Sequence, residues 1–147
     1  MQYENLKYFG NGISPAAERR LKDGSPTYID RMNDCLDGAR VRIKNGLFPQ
    51  ALRELAWTEE YAGKGGVEVP KEVDRLSRIA NIIYAVQKWD EVGTHLEDKK
   101  FTRALETLDT VEESARNGGM YFSDSIRMMR NDVFTLLAEH EINSANY

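Results

Sequence analysis

The sequence predicts an all-α protein built from antiparallel helical hairpins, with five main helices and a short N-terminal one. Three observations predict this class. Apolar residues recur at steps of three and four along most of the chain. Prolines and glycines fall where these striped segments begin and end. The only alternating segment, Val67 to Val69, is too short to be a convincing strand.

The composition is that of one ordinary soluble domain, which we expect to span residues 1–147. The chain has 41% hydrophobic and 30% charged residues and a formal net charge of -4. It has no apolar run long enough to span a membrane, so we expect no membrane association. The single cysteine, Cys35, cannot form an internal disulfide, and this predicts a cytoplasmic location.

Residues 1–25 form an N-terminal extension in this interpretation. Ser14 and Pro15 are typical of a helix start, and they predict a short helix that continues to Lys22. The preceding segment, Tyr3 to Phe9, is too apolar for a free tail. We expect it to pack on the body of the protein or on a partner.

Residues 26–66 are predicted to form the first hairpin. Its first helix runs from about Pro26 to Asn45, and Gly46 ends it. Its second helix ends in a group of glycines. The predicted core residues of the two helices are Ile29, Met32, Leu36, Ala39, Ile43, Phe48, Ala51, Leu52, Leu55 and Ala62.

Residues 70–119 are predicted to form the second hairpin, and residues 120–142 a C-terminal capping helix with Ser123 as its N-cap. The middle of the long third helix, residues 79–86, is apolar on most sides, so we expect it at the centre of the molecule. The predicted core residues after Pro70 are Val73, Leu76, Ile79, Ile83, Val86, Leu96, Phe101, Ala104, Leu105, Leu108, Val111, Ala115, Phe122, Ile126, Met129, Val133, Leu136 and Leu137.

An internal repeat links the two hairpins. Residues 47–66 align without gaps to residues 100–119, at an offset of 53, with nine identities in twenty positions. The identities include the aromatic residue, the alanine and the leucines of the pattern aromatic-x-x-Ala-Leu-x-x-Leu. We therefore expect Ala51 and Ala104 to be equivalent crossing points where a neighbouring helix approaches closely.

This pattern resembles the second helix of a tetratricopeptide repeat. Upstream of it, the segment from Trp89 to Leu96 is similar to the first-helix signature W-x2-L-G-x2-Y of that family. The second copy lacks the closing proline and has Val111 where a small residue is usual. In the first copy, Cys35 and Gly38 stand in place of the Trp and Leu. The resemblance implies stacked hairpins with a concave binding groove, and a helical bundle with duplicated hairpins is the alternative.

Catalytic and metal-binding patterns are not evident, and we predict no catalytic residue, no cofactor and no metal. The two histidines, His95 and His140, belong to no recognisable ligand motif. Glu91 and His95 would supply at most two ligands. Cys35 is expected to be a small buried hydrophobe rather than a reactive thiol.

Two groups of residues suggest binding. The first 50 residues carry a net charge of +2, and within them Arg31, Arg40 and Lys44 are candidate partner contacts. Trp57 and Tyr61 lie four residues apart on the second helix. Trp57 falls off the main stripe, so it is either second-layer core, which we favour, or a contact anchor.

These observations favour a non-catalytic module that binds a protein partner, as a peptide or helix, with a homodimer as a further expectation. The alternative function is a small all-α subunit of a ribonucleoprotein or of another nucleic-acid-directed complex. Such a subunit would contact phosphates through the basic N-terminal third. Nucleic acid is the less favoured partner because the basic residues lack interleaved aromatic residues on the same predicted face.

Overall fold

Five α-helices follow one another between residues 27 and 145, the part of the chain that the computed structural model describes. They are α1 (Tyr28–Lys44), α2 (Phe48–Gly65), α3 (Glu72–Glu97), α4 (Phe101–Asn117) and α5 (Ser123–Ala145). The described range contains no strand, so the predicted all-α class is confirmed. The predicted short helix at Ser14 and the apolar segment before it lie outside the described residues.

The chain divides into two compact units between Ser77 and Arg78, inside α3. We call the part up to Ser77 unit 1 and the part from Arg78 onward unit 2. The organisation of residues 1–147 as a single domain stays a prediction.

The described part of unit 1 contains α1, α2 and the first residues of α3. Helix α1 begins one residue later than proline spacing predicts, because Thr27 and Asp30 form a capping box. The Thr27 hydroxyl accepts a hydrogen bond from the Asp30 backbone N–H at 3.1 Å, and the Asp30 carboxylate accepts one from the Thr27 N–H at 3.0 Å. The buried core residues of this unit are Ile29, Met32, Leu36, Ala39, Leu55, Ala62 and Val73.

Unit 2 contains the rest of α3 together with α4 and α5. The three helices share one apolar core, whose buried members are Val92, Phe101, Ala104, Leu108, Val111, Ile126 and Val133. Ion pairs outside this core connect α5 to α4. Arg130 donates to Glu112 and to Asp109, each at 2.5 Å, and these two carboxylates raise the pKa of the Arg130 guanidinium.

The middle of α3 differs from the prediction. Ala80, Asn81 and Ala85 are buried, but Ile79, Ile83 and Val86 are exposed, so the expectation that all of this segment lies at the centre of the molecule is wrong. A helix buries only the side that its neighbours cover, and the periodicity cannot choose that side when apolar residues occupy most of them.

The turns inside the two hairpins have the same backbone conformation. Gly46 and Lys99, which are 53 residues apart, both have a left-handed conformation, with φ of 76° and 58°. Gly66 and Gly119, at the ends of the second helices, repeat this at φ of 70° and 76°. The positions that match in sequence therefore also match in backbone geometry.

The first helices of the hairpins correspond at the same offset, although their sequences differ. A Cβ atom built on Gly65 would lie 3.2 Å from Cγ1 of Ile29, and one built on Gly118 would lie 2.8 Å from Cγ1 of Ile82. Ile29 and Ile82 are also 53 residues apart. In both hairpins, a glycine at the end of the second helix thus allows an isoleucine of the first helix to approach.

Candidate functional site

Unit 2 carries an apolar groove that is open to solvent. Its volume is about 270 Å³, and five of its six lining residues are apolar. Helix α3 contributes one wall, α4 contributes the floor through Val111, and the start of α5 contributes the other wall. The lining residues are Ala85, Val86, Trp89, Val111, Phe122 and Ser125.

The side chains at the rim of this groove are large and accessible. Val86 is 48% exposed and Phe122 is 38% exposed, whereas Val111 below them is buried. Tyr121, next to Phe122 in the sequence, is 97% exposed. A concave surface with this much accessible apolar area is typical of a site that another molecule covers.

The sequence places Val86 and Phe122 in the core, and therefore sequence reasoning missed them as site residues. The available signal was the presence of apolar residues on most sides of residues 79–86. A helix that is apolar all round either is buried all round or presents one side to a partner. Only the burial of Ala85 and the exposure of Val86 separate these outcomes.

Arg40, a predicted partner contact, is held by carboxylates within unit 1. Its guanidinium donates to both carboxylate oxygens of Glu72, at the start of α3, and to Asp37 at 2.5 Å. The hydrogen bond from Glu72 is the main cause of the raised pKa of Arg40. This bidentate pair joins α1 to α3, so the structure gives Arg40 a role inside the protein. Lys44, in the last turn of α1, is exposed.

The structure brings two other predicted contacts, Arg31 and Tyr61, together. The guanidinium carbon of Arg31 lies 5.9 Å from the centroid of the Tyr61 ring. Tyr61 also stacks on Tyr28 with the ring centroids 6.4 Å apart, and the Lys64 ammonium lies within 6 Å of both rings. We call these four residues the aromatic–basic cluster. The sequence did not predict it, because Tyr28 and Lys64 are distant from Arg31 and Tyr61 in role or in chain position.

Trp57 is 45% exposed, so the favoured interpretation of this residue as second-layer core is wrong. Tyr61, one turn later, is half-buried and packs against the core residues Ile29, Met32 and Ala62. The two aromatic residues therefore have different surroundings. Trp57 keeps the other predicted role, that of a contact anchor, as a hypothesis.

The candidate chemical groups are dispersed. Within residues 27–145, no three His, Cys, Asp or Glu side chains gather as a metal ion requires. The His140 ring lies 5.4 Å from the Phe101 ring, a contact between α5 and the start of α4. Cys35 is partly buried on α1, close to the carboxylates of Glu54 and Asp34.

The Cys35 thiol is expected to react slowly. Partial burial raises its pKa, and the negative charges of Glu54 and Asp34 raise it further, so less of the nucleophilic thiolate is present at a given pH. The midpoint of iodoacetamide alkylation against pH should therefore lie higher in the native protein than in the same protein in urea. Glu54→Gln should lower the native midpoint, whereas Glu59→Gln, on the exposed side of α2, should leave it unchanged.

No protein-family model, curated protein or solved structure matches this chain. The resemblance to tetratricopeptide repeats therefore rests on the sequence motifs and remains a hypothesis. No helix between residues 27 and 145 combines the length and the apolar character that crossing a bilayer requires.

Proposed function

We propose that this protein is a non-catalytic binding module, located in the cytoplasm, that holds a partner peptide or helix in the apolar groove of unit 2. The exposed apolar walls of this groove, Val86 on α3 and Phe122 on α5, carry the proposal. A groove between two helices can receive the apolar face of an amphipathic segment, and burial of that face supplies the affinity. In the tetratricopeptide interpretation, α3 would be a first helix of a repeat, which is the position that contacts ligands in such hairpins.

The volume of the groove favours a side chain over a free small molecule. Pockets that enclose a drug-sized ligand have about 300 to 1,000 Å³, and this groove lies below that range and opens to solvent. One or two apolar side chains of a longer segment would fill it. The rest of that segment would lie across the rim.

The test is photo-crosslinking in the source cells from residue 86, substituted with benzoylphenylalanine. The control carries the same probe at residue 128, because Met128 is equally accessible but lies on the opposite side of α5 from the buried Ile126. A partner captured from residue 86 alone, and lost when Phe122→Ser is added, supports the proposal. Equal capture from both residues would contradict it.

The aromatic–basic cluster of unit 1 supports nucleic acid as a second candidate partner. Arg31 and Lys64 could neutralise phosphates beside tyrosine rings that could stack on bases. The sequence argument against nucleic acid was the lack of aromatic residues among the basic ones, and this cluster supplies two. Retardation of single-stranded oligonucleotides at about 50 mM salt, lost in Arg31→Ala but kept in Lys44→Ala, would support this function.

A further inference from the structure

The acidic charge of the chain lies in the unit that carries the groove. Residues 78–147 contain eight Lys and Arg residues and twelve Asp and Glu residues, so this unit alone accounts for the net charge of -4. Any segment that enters the groove meets this field before it makes contact.

Four of these carboxylates follow the groove walls along their helices. On α3, Asp90 and Glu97 lie one turn and three turns after Val86. On α5, Asp132 and Glu139 lie two turns and four turns after Ser125. All four are exposed, and none forms an ion pair with another residue of the described range.

The basic residues of the same helices are already engaged elsewhere. Lys88 pairs with Glu91 at 2.7 Å and lies over the Tyr84 ring. Arg127 pairs with Asp124, and Arg130 with Asp109 and Glu112. The unneutralised charge beside the groove is therefore of one sign.

We propose that the segment held in the groove is a basic amphipathic helix, with apolar anchors for the groove and Lys or Arg residues that face Asp90, Glu97, Asp132 and Glu139. This inference rests on the proposed function and adds the chemistry of the partner. A second copy of the chain is the less suitable occupant, because its own groove would present the same four carboxylates and like charges repel.

Trp89 provides the readout for the test. The chain has two tryptophans, so Trp57→Phe leaves Trp89, inside the groove, as the only one. The probes are two tryptophan-free model helices of about 18 residues, or about five turns. They share one pattern of leucines, with lysine at every polar position of one peptide and glutamate at every polar position of the other.

We expect the leucine–lysine peptide to shift the Trp89 emission to shorter wavelength and to saturate, and the leucine–glutamate peptide to leave it unchanged. The affinity should fall as salt is raised, because salt screens the exposed carboxylates. The double variant Asp90→Asn with Asp132→Asn should lose about tenfold in affinity at low salt and less at high salt. Its matched control, Glu106→Gln with Glu113→Gln, removes two exposed charges of α4 and should bind as the parent does.

Val86→Ser separates groove binding from general attraction to an acidic protein, because it removes apolar contact and no charge. We expect this variant to lose most of the affinity at both salt concentrations. Lysine-peptide binding that survives Val86→Ser, or that falls equally in the two charge variants, would overturn the inference. So would failure of the lysine peptide to bind, or a Val86-dependent dimer in sedimentation.

The two proposals can fail separately. Equal binding of the lysine and glutamate peptides, both lost in Val86→Ser, would overturn the basic partner and leave the groove as a binding site. A partner crosslinked from residue 86 that lacks a basic amphipathic segment would have the same meaning. Crosslinking without preference for residue 86 would remove the binding module itself.

Discussion

Leu55→Ala and Leu108→Ala are expected to cause the largest losses of stability among single substitutions in the described chain. Both side chains are buried to within 1% of full burial, and each lies in the apolar core of its own unit. Truncation removes the transfer free energy of the leucine and leaves a cavity, at a cost of about 2 to 5 kcal/mol. Urea denaturation followed by circular dichroism measures this loss.

Met128→Ala is the control for this experiment. Met128 is 64% exposed, and therefore its truncation should change the free energy of unfolding by less than about 0.5 kcal/mol. If Leu55→Ala or Leu108→Ala cost no more than Met128→Ala, the core described for that unit would be wrong.

Ala51→Leu and Ala104→Leu are expected to destabilise the protein by overpacking. These residues are the predicted crossing points of the repeat, and both are completely buried. A leucine needs space that each hairpin fills with a neighbouring helix, so the neighbours must shift, at a cost of about 1 to 3 kcal/mol. Thermal melting of each variant measures this cost.

The matched control is Ala56→Leu, which places the same side chain on the exposed side of α2. It should leave the melting temperature nearly unchanged. A normal melting temperature for both Ala51→Leu and Ala104→Leu would show that these two positions are not close helix contacts.

The boundaries of the second helices were predictable because local chemistry fixes them. Gly46 and Gly66 end α1 and α2 in the left-handed conformation, which only glycine adopts at little cost. The start of α1 was less accurate, because proline spacing pointed to Pro26. The capping box of Thr27 with Asp30 decides that start, and it depends on two side chains meeting their backbone partners.

The candidate binding residues were less predictable, because charge patterns do not show which ions are paired. Arg40 has the sequence features of a free surface cation, yet Glu72, 32 residues later, accepts both of its hydrogen bonds. Arg31 has the same features and lies over the Tyr61 ring. The difference between them depends on which residues of α2 and α3 approach α1.

The sequence by itself determined the helical class, the turns and the duplicated hairpin, since each depends on residues close together in the chain or on a constant offset. Only the tertiary structure decided which side of an apolar helix becomes core and which becomes surface. Ala85 and Val86 are adjacent and both apolar, yet one is buried and the other forms the wall of a groove. Burial is a property of the neighbours that cover a side chain, and the periodicity of one helix does not contain their positions.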